Sequence, residues 1–219
     1  MTVIRDGMSV STKNAKQGLS ENEIVRDMVG RDMSDRYPAR ERRAGEMLLE
    51  VEGWNVWHPE HSDRQVIKNI AFNVRAGEVV GIAGLMGSGR TELAMSIFGR
   101  SYGRRISGSV KVHGKEADVS SVDRAISAGL AYVTEDRKSL GLILDETIRF
   151  NTTLANLEGV SVGGVLNANA ETKVAQEYRE ALRTRTPSVF QKVGNLSGGN
   201  QQKVVLAKWL YTAPEVLIL

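Results

Sequence analysis

Gly84-Leu85-Met86-Gly87-Ser88-Gly89-Arg90-Thr91 is the stretch on which the reading of this sequence turns. A short apolar run, Glu78-Val79-Val80-Gly81-Ile82-Ala83, precedes it and suits a buried strand; a helical pattern of about Arg90 to Phe98 follows. The spacing matches G-x-x-x-x-G-K-[S/T], with Arg90 in the lysine position. Glycines here let the backbone wrap closely on phosphate oxygens and turn its N–H groups inward. The start of the following helix adds partial positive charge on the same side. Thr91 would place its hydroxyl on Mg²⁺. A guanidinium is a broad planar fork where lysine is a compact point charge. It still holds phosphate in bidentate fashion, but tracks less well the charge that develops as a γ-phosphoryl leaves. The expectation is nucleotide binding with weakened hydrolysis at this loop, against the alternative of a glycine-rich turn without a ligand.

Around that loop, apolar runs alternate with helical patterns. Strands are expected at Met47–Val51, Val66–Val74, Ser109–His113, Leu130–Val133 and from Val216. Helices are expected at Ser121–Ala128, about Glu146–Leu157, Glu171–Arg183 and Gly198–Leu210. Such alternation predicts an α/β domain with a largely parallel sheet. Residues before Gly45 are more polar. Val3 to Gly7 reads as a strand ending in a turn, and Ser20-Glu21-Asn22-Glu23 as a capping box opening a helix that ends at Gly30. Neither piece can bury itself alone. We therefore expect residues 1–34 to be the tail of something, 35–46 a linker, and 47–219 the main domain.

Composition narrows the classes further. With 41% hydrophobic and 25% charged residues among 219, the chain has material for a buried core and is not low-complexity or disordered. It lacks an apolar run of membrane-helix length, a secretory leader pattern and any cysteine. A thiol nucleophile, a disulfide scaffold and cysteine-ligated zinc are excluded. The net charge of +3 is spread along the chain, without the clustered basic stripe that nucleic-acid binding needs, so no nucleic-acid partner is expected. His58, His61 and His113 have no metal-ligand spacing.

A second motif, Leu196-Ser197-Gly198-Gly199-Asn200-Gln201-Gln202-Lys203, stands just before an apolar helix. Alone, Ser197 reads as a helix N-cap ahead of two glycines. About a hundred residues after a phosphate loop, it resembles the L-S-G-G-Q signature of the ATP-binding cassette ATPases. In that family the signature of one cassette faces the phosphate loop of another, with ATP between them. The resemblance extends to Tyr132–Gly141, Y-V-T-E-D-R-K-S-L-G, and is greatest for the second cassette of bacterial monosaccharide importers that carry two cassettes in one chain, of the xylose or multiple-sugar type. It covers essentially the whole chain.

That resemblance implies a P-loop NTPase fold with a mostly parallel core sheet, an antiparallel β subdomain and a helical subdomain at about 142–200. It implies ATP and Mg²⁺ as cofactors, held by Gly84 to Thr91 and, for a neighbouring cassette's nucleotide, by Ser197, Gly198, Gly199 and Asn200. Trp57 is expected to stack on adenine, with His58 as second choice and Trp54 in the core. Glu135 stands where the family has a glutamine that touches Mg²⁺ and the attacking water, and a carboxylate there is a weaker metal candidate. The family's magnesium aspartate, catalytic glutamate and switch histidine would lie beyond Leu219, so no catalytic residue is expected within these residues and the isolated piece is expected to be inactive and marginally stable. Implied partners are membrane permease subunits, a first cassette of the same chain and, indirectly, a periplasmic sugar-binding protein. The implied location is peripheral, on the cytoplasmic face of the plasma membrane. Two other readings stay open: a non-catalytic nucleotide-binding module, and a soluble cassette ATPase acting on ribosomes or DNA.

Overall fold

The computed structural model describes residues 1–5, 7–15, 18, 20–30 and 44–219. The chain divides into two compact units, Met1–Arg42 and Arg43–Leu219. The segment expected to be a linker falls mostly outside the described residues.

In the first unit, β1 (Thr2–Arg5) and β2 (Met8–Thr12) form an antiparallel hairpin beside α1 (Glu21–Val29). Asp27 joins them: its carboxylate accepts from the Ser11 hydroxyl at 2.7 Å and pairs with Lys13 Nζ at 3.0 Å. The Ser11 bond leads in holding this carboxyl below the usual aspartate value. Gly30 ends α1 in the left-handed conformation, as expected. The capping box does not form. The amides of Glu23 and Ile24 go to the Ser20 backbone carbonyl instead of its hydroxyl.

In the second unit, β3 (Met47–Trp57) is the centre of a four-stranded antiparallel sheet of order β4-β3-β5-β6, with β4 (Gln65–Arg75), β5 (Arg104–Val112) and β6 (Lys115–Glu116). Helix α2 (Arg90–Ile97) packs against it. A helix α3 (Val122–Ser127), capped by the Ser121 hydroxyl, leads into β7 (Leu130–Tyr132). Strand β7 pairs in parallel with β10 (Val216–Ile218), Val216 opposite Leu130. Between them lie α4 (Ile148–Thr153), a hairpin of β8 (Ser161–Val162) and β9 (Val165–Leu166), α5 (Ala168–Ala181) and α6 (Gly198–Leu210). Helix α4 starts two residues later than expected, where the Thr147 hydroxyl accepts from Phe150 N and fixes its first turn, and it ends four residues earlier, at Thr153. One buried cluster joins both sheets to α2 and α6, through Leu49, Trp54, Leu93, Leu130, Val205 and Trp209 among others.

The expected strand Glu78–Ala83 is not one. The segment has no ladder partner, and Val79 is 88% exposed. A cavity of about 520 Å³ is lined by Val79, Val80 and Ile82 and, from β7 and β10, by Tyr132, Leu217 and Ile218. An apolar run specifies that a segment wants burial, but a strand also needs a neighbour in hydrogen-bonding register. The parallel part of the described structure is therefore the β7–β10 pair.

Helix α6 carries a buried cation, Lys208, 6% exposed. Its Nζ donates to the Gly141 carbonyl at 2.7 Å and lies 4.6 Å from the Trp209 ring centroid. Burial lowers its pKa from 10.5 to about 8. Between those values the unfolded chain binds more proton than the folded one, so this group makes stability rise with pH from about 8 to 10, by about 2 kcal/mol, and opposes folding fully below pH 8. Chemical denaturation of the native chain and Lys208→Met at pH 8 and 10 isolates the effect. The native chain is expected to gain on the variant as pH rises; parallel pH profiles would refute it.

Candidate functional site

The phosphate loop leaves the exposed 78–83 segment and curls back on itself. Ser88 N donates to Leu85 O at 3.0 Å, and a Cβ added at Gly84 would lie 2.3 Å from Ser88 Oγ. Gly87 and Gly89 both have positive φ, 79° and 94°. Gly89 is buried against β4, where an added Cβ would meet Ile67 Cδ1 at 3.1 Å. Helix α2 then begins at Arg90 with no side-chain cap, so its first amides stay available to an anion. Leu85, Met86 and Arg90 are exposed. At the start of α2, the Thr91 hydroxyl donates to Glu135 Oε2 at 3.2 Å.

Trp54 and Trp57, both on β3, have separate fates. Trp54 is 1% exposed, and its indole Nε1 donates to Ser96 Oγ on α2 at 2.9 Å. Trp57, the last residue of β3, is half-buried and pairs across to Gln65 and Arg104. His58 is occupied with its own loop: Nδ1 accepts from the amides of Glu60 and His61, and the ring meets those of His61 and Tyr102. Trp57 and His58 are both half-buried.

The second motif forms the start of α6. Ser197 stands at the N-cap without capping, and it and Gly199 are exposed. The Ser197 hydroxyl accepts from Asn200 Nδ2 at 3.0 Å, while Asn200 Oδ1 accepts from Arg185 N at 3.0 Å. Asn200 thus orients the serine and ties it to the turn after α5. The open amides of a 13-residue helix and a fixed hydroxyl make a second anion-ready terminus.

Sequence reasoning located these segments and missed what connects them. The Thr91–Glu135, Trp54–Ser96 and Arg137–Gln201 bonds join residues 42 to 64 positions apart. No local pattern signals such pairs. The exchange of the expected glutamine for Glu135 was the one available hint.

A hydroxyl and a carboxylate, Thr91 and Glu135, are hard oxygen donors that fit Mg²⁺ held chiefly by phosphate and water. Such an ion would neutralise phosphate charge. Among the described residues, no group of three or more His, Asp or Glu is placed to hold a metal by itself, and no helix is long and apolar enough to cross a membrane.

Comparison with known proteins gives a consistent picture. A family model described as ABC transporter matches residues 67–219. The chain is 53% identical over its full length to the L-arabinose transport ATP-binding protein AraG of Geobacillus stearothermophilus, covering 43% of that protein. It is 43% identical, again over its full length and 43% of the relative's, to the xylose import ATP-binding protein XylG of Thermoanaerobacter pseudethanolicus. The chain therefore spans less than half the length of these relatives. Among solved structures, the ATP-binding cassette MJ0796, determined as a dimer in a post-hydrolysis state with ADP and Pi, matches 78% of this chain and 72% of its own at 20% identity, with a TM-score of 0.62.

Proposed function

The chain belongs to the ABC transporter ATPase family, and from that premise we propose that it is the ATP-binding part of a monosaccharide importer, similar to those for arabinose and xylose. The observation that carries this reading is the pair of anion-ready helix starts, Gly84–Thr91 and Ser197–Asn200, both uncapped and both in the second unit. We further assign 47–219 to a second cassette, 1–34 to the tail of a first and 35–46 to the link between them; coverage of less than half of each relative leaves room for a first cassette. Partners are then the first cassette, a permease pair at the membrane and, through it, a sugar-binding protein.

We assign residue roles accordingly. Gly84 to Gly89 and the first amides of α2 hold the phosphates of a nucleotide whose adenine stacks on Trp57. Thr91 and Glu135 would hold the accompanying Mg²⁺. Arg90 clamps phosphate bidentately but stabilises the transferring phosphoryl poorly, which makes this the weaker site. Ser197 to Asn200 complete the stronger site, whose phosphate loop is the first cassette's.

ATP turnover in the full two-cassette protein with its permease tests this assignment. Ser197→Ala is expected to lower turnover by about tenfold, the loss of one hydrogen bond to charged phosphate. Arg90→Ala is expected to lower it by less than about threefold, because its site turns over little to begin with. Equal losses would overturn the division of labour. Binding of ATP with no turnover in the assembled protein would favour the non-catalytic module instead.

A further inference from the structure

Arg137 stands between the two phosphate-facing segments, and no motif gives it a task. It opens a single π-helical turn, Arg137–Gly141, capped by Asp136, whose Oδ1 accepts from the amides of Lys138 and Ser139. Two residues earlier Glu135 receives the Thr91 hydroxyl. On the other side, Arg137 Nε donates to Gln201 Oε1 at 3.2 Å. The guanidinium also fills the space beside the signature: a Cβ added at Gly198 would lie 2.9 Å from Arg137 Nη2. Gln201 is buried, and its Nε2 donates to the carbonyls of Val193 and Leu196, each at 3.3 Å. It therefore holds the turn that delivers Ser197. Farther along, Lys208 fastens Gly141 to the same helix. The 135–141 loop is thus tied at one end to the phosphate-loop helix and along its length to the signature helix.

We propose that Arg137 is a positioning residue that sets the placement of Ser197–Asn200 and transmits to it any displacement of Glu135 at the phosphate loop. Its significance for turnover rests on the assignment of both loops to nucleotide; the linkage itself needs none. The planar fork offers Nε to Gln201 while Nη2 stays beside Gly198, where the absence of a side chain leaves room. A lysine has one nitrogen and cannot serve both places.

The chain contains no cysteine, so Gly199→Cys installs a single thiol in the signature, at a position where an added Cβ meets nothing within 4 Å. The experiment is the rate at which a maleimide modifies that thiol in the full chain without nucleotide. Each rate is read in a four-way cycle with Glu135→Ala and Arg137→Ala, with thermal melts to establish folding. Glu135→Ala is expected to change the rate at least about threefold when Arg137 is present and to have almost no effect when it is absent, the non-additivity of coupled residues. Arg137→Lys, which keeps charge and stem should the alanine variant not fold, is expected to lose the coupling as well. A purely structural arginine would alter the rate by itself yet leave the Glu135 effect intact, and that result would overturn the proposal. So would a Glu135→Ala effect absent from the start. Because no nucleotide enters the assay, failure of the chain to bind ATP would count against the proposed function and leave this result standing.

Discussion

Trp54→Ala is expected to lower the stability of the second unit by about 4 kcal/mol, in the range for removing a fully buried indole. Trp54 is among the largest wholly buried side chains, at 1% exposure. Its removal opens a cavity between β3 and α2, in the cluster that joins the antiparallel sheet to the phosphate-loop helix. It also removes the indole donor from Ser96 Oγ. Ser96 is itself fully buried, but its hydroxyl still donates to the Leu93 carbonyl at 2.8 Å, so no donor is left unpaired. Trp54→Phe keeps most of the volume and should therefore lose only about 1.5 kcal/mol. Urea unfolding followed by circular dichroism measures both. A loss under about 2 kcal/mol for the alanine variant would mean that the β3–α2 contact collapses to fill the space. Because Trp54 sits under α2, the same variant should weaken nucleotide binding before global unfolding is reached.

How much of this was readable in the sequence depended on how local each determinant is. Helix α6 runs from Gly198 to Leu210 as expected, because two glycines, an apolar stripe and Pro214 mark it within a few residues. Trp54 in the core and the turn-bearing glycines are similarly local, set by alternation along a strand and by backbone angles side chains disfavour. The 78–83 segment failed because its apolar pattern is necessary for a buried strand but pairing depends on a partner elsewhere. The β8–β9 hairpin, with Gly163 and Gly164 at its turn, went unread because each strand is only two residues long. At the site, the loops themselves were legible as glycine patterns. Their orientation was not: Thr91 with Glu135, Asn200 with Arg185 and Arg137 with Gln201 meet only after distant elements pack. The sheet brings the Glu135 loop beside α2, since that loop follows β7, whose Tyr132 shares a buried cluster with Leu93 and Phe98 of the phosphate-loop helix and its end.

Gly89→Val is expected to lower ATP affinity by at least about 100-fold, measured with a fluorescent ATP analogue in the full chain. Two independent obstacles act at this position. Its φ of 94° lies where a β-branched residue is strained by roughly 2–3 kcal/mol. Its missing side chain also leaves it close against β4, with Ile67 Cδ1 only 3.1 Å from an added Cβ and the methyls of valine reaching farther. Either the loop relaxes its backbone or it lifts from the sheet. Both turn the first amides of α2, the groups offered to phosphate, away from their common focus. Gly87→Ala is the matched comparison. It too has positive φ, 79°, yet an added Cβ there meets nothing within 4 Å. It should therefore lose only about fivefold, corresponding to roughly 1 kcal/mol of left-handed strain. Gly89→Ala, which carries the same left-handed strain as Gly87→Ala, isolates the packing against β4 that only Gly89 has. Equal losses would assign the whole effect to backbone angle and remove the β4 contact from the account of how this loop is held. If Gly89→Val instead retained affinity within about tenfold, the amides of α2 would not be the phosphate ligands, and the nucleotide would have to be held elsewhere.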